Sequence, residues 1–308
     1  MADTSDLAGR TVVVTGTTSG IGRGTALRLG ACGANVVAAA RRHDALTRLT
    51  DEIRDAGGRA TPVVTDVSDP EQVARLAEAA IEAYGDIDVW VNNVGIGALG
   101  YFWDIPVEDH ARVVEVNLTG LMYGAHVALR HFLSRGHGIL VNIGSVESEL
   151  PLALQSSYAA TKAGVLSLGR SLNEELRLAG KGDTIRVGTV LPWAVDTPWW
   201  HHAANYTGHA PRMIAMDDAS VAVDAVVAAC IDPHEAQGAG WKARGALTSN
   251  RVAPGASDRL SADVVFRTSE NAPPAEATTG SIHDPLSPIE SLDGGIRERM
   301  QREKARDR

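Results

Sequence analysis

The sequence predicts an α/β fold: a doubly wound parallel sheet of about seven strands, flanked by helices, with an irregular C-terminal tail. Three observations point there. Strand-length and helix-length segments alternate without interruption from residue 10 to residue 191, the order that builds parallel sheets through right-handed crossovers. The strand runs are apolar throughout, as in Thr11-Val-Val-Val-Thr15 and Ile139-Leu-Val-Asn-Ile143, which suits strands covered on both faces. The 308 residues, 44% hydrophobic and 22% charged, supply core enough for one large domain. We expect that domain at residues 8–245, followed by an extension over 246–308.

Taken in order, residues 10–15 form the first strand. Gly16-Thr17-Thr18-Ser19-Gly20-Ile21-Gly22 follows at once, before a helix over 23–31. Glycines let a backbone turn tightly and approach a phosphate closely, and free N–H groups at a helix start hold an anion. An ordinary strand-to-helix turn has the same composition. The second strand, 35–40, runs into Arg41-Arg42. Nucleotide-binding units usually place an acid about twenty residues past the glycines, against the ribose 2′-hydroxyl; here the strand ends without one. A guanidinium at that point pairs with a 2′-phosphate, so Arg41 favours NADP(H), with NAD(H) possible. The competing reading is two solvated arginines at a helix start.

A polar-faced helix over 44–56 is stopped by Gly57-Gly58. A third strand, 60–65, ends in Asp66-Val67, and Asp69-Pro70 starts a helix to about residue 84, since Asp caps and Pro suits the first turn. The fourth strand, 87–91, delivers Asn92-Asn93-Val94-Gly95 to the carboxyl edge of the sheet, where open α/β sheets bind ligands. Residues 106–133 read as one long helix. Within it Asn117 sits in an apolar setting, which suits a buried hydrogen-bonding role as well as a surface one. The fifth strand, 138–144, is capped by Ser145. A helix then reaches about residue 179 and opens with Tyr158-Ala-Ala-Thr-Lys162. Residues four apart share a helix face, a nearby cation favours a phenolate, and a phenol so tuned exchanges a proton with an alcohol or ketone oxygen. On its own, such a pair also fits a solvated helix face. The sixth strand, 184–191, leads into Pro192-Trp193-Ala194-Val195-Asp196-Thr197-Pro198. A helix over 217–231 follows, and residues 239–244 are the candidate last strand.

Thr15-Gly16-x-x-x-Gly20-Ile21-Gly22, Asn92-Asn93-x-Gly95, Asn117, Ser145, Tyr158-x-x-x-Lys162 and Pro192…Thr197, in this order and spacing, resemble the short-chain dehydrogenase/reductase family over roughly residues 8–245. The resemblance implies a Rossmann-like catalytic domain that transfers a hydride between NADP(H) and a carbonyl/alcohol pair. It implies that Tyr158 is the general acid/base and that Lys162 lowers its pKa and holds the nicotinamide ribose. Ser145 then hydrogen-bonds the substrate oxygen, and Asn117 holds a water linking Lys162 to solvent. It also places Gly16, Thr18, Ser19, Ile21, Arg41, Asp66, Val67, Asn93, Gly95, Val116, Pro192, Val195 and Thr197 along the cofactor, together with Tyr158 and Lys162. Departures from the usual pattern are Val94 for alanine, Trp193 for the glycine that commonly follows the proline, and Gly144 for a second serine. None removes a catalytic group, and Trp193 is expected to reshape the pocket wall. Association in this family runs through two long helices, here about 106–134 and 156–180, which implies a homodimer at least.

Trp193, Trp199, Trp200, His201, His202, Tyr206 and His209 crowd one segment of a chain with 5% aromatics. The resemblance makes residues 193–215 a substrate lid. Its rings suit an apolar, bulky ketone, aldehyde or alcohol, or pack on the lid's own core or a neighbouring subunit. Glu147, Leu150, Leu152 and Gln155 are expected to line the pocket opposite. The three histidines come without a carboxylate or cysteine pattern, so no metal is expected. Beyond residue 249, the Pro/Ala/Thr/Ser-rich stretch 271–288 and the charge-dense end 297–308 suggest an extended or disordered tail.

Formal charge is −9, which disfavours general affinity for nucleic acid or anionic membrane. No apolar run approaches a membrane span. Two isolated cysteines, Cys32 and Cys230, and an N-terminus without a secretion pattern point to the cytoplasm. Two other classes compete with an oxidoreductase. One is a non-catalytic NADP(H)-binding sensor or scaffold, against which the intact catalytic set argues. The other is a sugar-nucleotide epimerase or dehydratase, whose glycine motif normally has a shorter first gap than Gly16 to Gly20.

Overall fold

The computed structural model describes residues 4–285 and 290–306. Seven strands pair in parallel in the order β3-β2-β1-β4-β6-β7-β9. They are β1 (Thr11–Thr15), β2 (Asn35–Ala40), β3 (Arg59–Val64), β4 (Val89–Asn92), β6 (Gly138–Ile143), β7 (Ile185–Pro192) and β9 (Gln237–Ala239). Two short strands outside this sheet, β5 (Ala98–Leu99) and β8 (Ala204–Asn205), pair with each other. Side chains alternate across a strand, so β1 feeds two cores. Val12 and Val14 face Leu29, Leu46, Val226 and Val227 on one side. Val13 meets Trp90, Leu140, Leu76 and Phe132 on the other. Every residue of β1, β2, β4 and β6 is buried, as continuous apolar runs require.

The helices are α1 (Gly20–Ala31), α2 (His43–Asp55), α3 (Pro70–Tyr84), α4 (Val107–Val114), α5 (Gly120–Arg135), α6 (Ser156–Leu178), α7 (Trp199–His202), α8 (Ala219–Ala229), α9 (Gly240–Val252), α10 (Pro254–Glu270) and α11 (Ile296–Arg306). Strand order reverses between β1 and β4, and the crevice at such a reversal is where doubly wound sheets bind ligands. Among the described residues no helix is long and apolar enough to cross a membrane.

One expectation needs refinement and two need correction. The helical stretch over 106–133 runs unbroken from α4 to α5, but through a π-helical turn at Glu115–Thr119 that holds Asn117. The last strand stops at Ala239, and residues 240–252 are helical; Gly240, at φ +77, turns the chain, and the 245/246 boundary falls inside α9. The tail is not a loose appendage. Isolated bridges join Asn205 to Thr278 and His209 to Pro274, and the Gly20 amide donates to the Ser291 carbonyl at 3.0 Å. Composition misled here because these partners lie far away in sequence, and the stretch has no periodicity of its own. Residues 286–288 of that stretch, residues 307–308 and the first three residues of the N-terminus lie outside the described residues.

Asp196 fastens the extension to the sheet's carboxyl edge. Its carboxylate caps α11, accepting from Ile296 N at 2.9 Å and Arg297 N at 3.0 Å. Arg212 adds an ion pair to Glu303 at 2.6 Å. Asp196 is 5% exposed, so water replaces little of what it provides. Asp196→Ala should cost about 1–2 kcal/mol and expose the extension to limited proteolysis before the core. An unchanged Tm and an unchanged cleavage pattern would show that the cap does not hold it.

Candidate active site

The glycine turn is built by close approach. Gly16 has φ +71 and Gly20 φ +54, conformations glycine adopts freely. A Cβ on Gly22 would lie 2.2 Å from the Gly16 carbonyl oxygen and 2.4 Å from Asn93 Nδ2. Asn93 ties the end of β4 to this turn: its Nδ2 donates to Thr15 O at 2.9 Å and Gly16 O at 3.2 Å, and its amide donates to Thr15 Oγ1 at 3.0 Å.

One cleft, about 260 Å³ in volume, runs from this turn across the strand ends. Gly16, Thr18, Ser19, Ile21, Arg41, Asp66, Val67, Asn93, Gly95, Val116, Pro192, Val195 and Thr197 all line it, with Ser145, Tyr158 and Lys162 at the far end. The residues fit a dinucleotide. The first turn of α1 carries no acid, and Arg41 and Arg42 line the cleft. Arg42 Nη1 is buried without a partner.

At the end of β2 the Arg41 fork holds main-chain carbonyls of the extension, His283 O at 2.8 Å and Ser281 O at 3.0 Å. Ser281, Ile282 and Pro285 therefore join the cleft wall. Sequence reasoning missed them, since nothing local marks residues 240 positions away. It also missed Arg112, which donates to Ile282 O at 3.1 Å and pairs with Asp66 at 3.3 Å. Burial works against the Asp66 carboxylate, yet bonds from Ser68 and the charges of Arg112 and Arg41 hold its pKa below the ordinary value.

Lys162 is 2% exposed, and its Nζ donates to Ile143 O at 2.7 Å. The ammonium lies 5.5 Å from the centre of the Tyr158 ring, and Ser145 lines the cleft with both. The expected lowering of the phenol pKa is not found. Burial pushes it above its ordinary value and Glu147 adds to the rise, with Ser145 opposing. Burial likewise lowers Lys162 to about 8. Desolvation penalises each charged form, and the lysine does not outweigh it. A phenol that keeps its proton is the donor form needed to reduce a ketone.

Asn117 does not line the cleft. It is fully buried, accepting from Ile96 N and donating to Ile96 O, both at 2.8 Å, and to Thr161 Oγ1 at 3.2 Å. Its side chain thus pins the strand end carrying Gly95 to the helix carrying Lys162.

Glu147, Gln155, Trp193, Trp199 and Trp200 all line the substrate end. Trp199 leans on the Tyr158 ring, centroids 5.2 Å apart, and packs over Gly97, where a Cβ would meet it at 2.4 Å. Trp200 Nε1 donates to Val195 O at 2.9 Å. His201 and His209 contact extension carbonyls, Gly294 O at 2.8 Å and Ala272 O at 2.9 Å. Burial, then the charges of Arg42 and His201, lowers His202 to about 4.

Glu147 is 5% exposed. Burial raises its carboxyl to about 8, against the opposing pull of the Leu152 amide and Lys162. The folded state therefore keeps a proton that the unfolded chain releases near 4.5. That contribution is complete below the unfolded value and is lost as pH rises toward about 8. Glu147→Gln has no such loss. Relative to wild type, its Tm should climb from pH 5 to 8 and level off above, a gain of a few kcal/mol. A pH-independent difference would contradict the raised carboxyl.

Comparisons with known proteins agree with this geometry. A family profile described as short chain dehydrogenase matches residues 10–206. An uncharacterized oxidoreductase, YxnA, of Bacillus subtilis (strain 168) is 34% identical over 84% of this chain and 73% of its own length. The 3beta-hydroxysteroid dehydrogenase 1 of Eggerthella lenta is 43% identical over 63% of this chain and 73% of its own. Among solved structures, a short chain dehydrogenase/reductase from Burkholderia phymatum in complex with NAD superposes with TM-score 0.71 at 26% identity, covering 92% of this chain and 99% of that one. The chain belongs to the short-chain dehydrogenase family, nicotinamide-dependent oxidoreductases that act on CH–OH groups.

Proposed function

We propose that the protein transfers a hydride between NADP(H) and an apolar, bulky secondary alcohol, ketone or aldehyde, with Tyr158 carrying the proton. One observation supports this above the others: Ser145, Tyr158 and Lys162 line the same cleft as the glycine turn. The nicotinamide supplies the hydride chemistry; the chain supplies position and charge. Ser145 donates to the substrate oxygen and stabilises the charge that develops there. Tyr158 gives that oxygen its proton in reduction and takes it back in oxidation. Lys162, anchored on Ile143 O, holds its remaining N–H donors toward the cofactor ribose and the phenol. Asn117 holds the backbone of Ile96 beside them and links Lys162 to a water supply. The tryptophan wall over 193–215 favours apolar bulk, and a relative that acts as a 3beta-hydroxysteroid dehydrogenase agrees with that.

The absence of an acid at the end of β2, and the pair Arg41 and Arg42 there, support NADP(H) over NAD(H). A phosphate offers the Arg41 fork charged acceptors in place of neutral carbonyls, and charge-assisted bonds are the stronger ones. The solved relative with NAD keeps NAD(H) as the second cofactor. Two thiols without a disulfide, Cys32 and Cys230, support a reducing compartment, the cytoplasm. We assign the dimer to the faces of α4, α5 and α6, where Val107, Val114, Met122 and Leu178 are exposed.

Tyr158→Phe should lose nearly all turnover yet bind NADPH with little change in Kd; substantial residual turnover would mean another group moves the proton. Arg41→Asp should raise the KM for NADPH far more than that for NADH, and equal changes would remove the cofactor assignment. Light scattering should give a dimer mass; a monomer would refute the helix-face assignment.

A further inference from the structure

Two buried polar atoms at the substrate end of the cleft have no hydrogen-bond partner: Glu147 Oε2 and Trp193 Nε1. Both residues line the cleft with Tyr158. Leu152, Trp199 and Met213 line the same cleft, as do Gln155 and Lys162. A buried polar atom without a partner has given up water and received nothing in exchange, so in a ligand cleft it marks a bond kept for the ligand. The hydride and proton steps use Ser145, Tyr158 and Lys162 and leave Glu147 idle. Its position is nonetheless built. The turn Val146–Ser148 sets Glu147 two residues past Ser145, and its amide donates to Ser145 Oγ at 3.1 Å. The same turn thereby fixes the carboxyl relative to the hydroxyl that meets the reacting oxygen.

Building on the oxidoreductase reading, we propose that the Glu147 carboxyl binds a second oxygen of the substrate, on a carbon other than the reacting one, and so selects diols and hydroxy-ketones over mono-alcohols and simple ketones. The reaction balances as before. In reduction the carbonyl carbon takes a hydride from the bound reduced nicotinamide and its oxygen the proton of Tyr158, leaving a phenolate; oxidation is the reverse, the phenolate taking the proton of the reacting CH–OH. The second oxygen changes no bond. Tyr158 and Lys162 are the titratable groups that face Glu147. Burial keeps the carboxyl protonated up to about pH 8. It then both donates and accepts, which suits a neutral hydroxyl, and it adds no negative charge where the alkoxide develops.

The test uses the full chain with NADP⁺ and a probe set of cyclohexanol, the cyclohexane-1,2-, 1,3- and 1,4-diols and trans-2-aminocyclohexanol. Rates are followed by NADPH absorbance. Binding is followed separately through tryptophan fluorescence in Tyr158→Phe, and in that variant combined with Glu147→Leu. Wild type should prefer at least one diol over cyclohexanol by about tenfold or more in kcat/KM. Glu147→Leu should bring that ratio toward one, and Glu147→Gln, whose amide still donates and accepts, should keep part of it. A merely structural role for Glu147 would lower all probes together and leave the ratio in place. That outcome would overturn the proposal, as would a wild type that favours no diol or prefers the amino alcohol. Diol-selective binding that depends on Glu147, without turnover of any probe, would sustain the proposal and remove the oxidoreductase reading. Turnover without diol selectivity would do the reverse.

Discussion

Burial of three ionisable side chains around one point governs this site. Glu147, Tyr158 and Lys162 line one cleft at the carboxyl edge of the sheet; Glu147 and Lys162 are buried and Tyr158 is partly buried. Desolvation disfavours a carboxylate, a phenolate and an ammonium alike. It pushes the two acids up and the lysine down. The attraction between Glu147 and Lys162 moderates their two shifts without reversing them, while Glu147 adds to that of Tyr158. The site therefore keeps its protons on oxygen, which suits delivery of a proton to a carbonyl.

The scaffold explains why such a site is tolerated. Buried polar groups persist when their backbone is held by other bonds. Asn93 ties β4 to the glycine turn, Asn117 ties the following strand end to α6, and Lys162 is anchored on the last residue of β6. Trp90 Nε1 donates to Asn92 Oδ1 at 2.8 Å, and Asn92 Nδ2 donates to Asn142 Oδ1 at 3.0 Å. This row of amides beneath the cleft joins the strands on either side. The extension closes the other end, where Arg41, Arg112 and the Gly20 amide all bond to its carbonyls.

Most of the sheet was legible because its signals are local. β2 matches its apolar run over 35–40, and the other predicted strands up to β7 differ by a residue or two at their ends, where fraying and capping decide; the last strand alone was misplaced, into what is α9. The cleft was legible for the same reason, since glycine turns and strand-end residues are fixed by their neighbours in sequence. What escaped was non-local. The irregular stretch after α10 is ordered by contacts to residues more than 200 positions earlier, Arg41 on two of its carbonyls and Arg48 on the Glu290 carboxylate. Asp196 reads as one residue of a Pro/Trp-rich loop, and only the fold reveals it as the cap of α11. The phenol was misjudged for a related reason. Spacing shows that Lys162 lies near Tyr158 and places Glu147 in the pocket, but not how deeply Glu147 and Lys162 are buried.

The protonation state of Tyr158 is the most direct check on this picture. An ultraviolet difference titration of wild type against Tyr158→Phe, without cofactor, reads that single phenol. We expect it to ionise above the ordinary tyrosine value of about 10. Phenolate absorbance appearing near neutral pH would show that the lysine prevails over burial and would contradict the electrostatics described above.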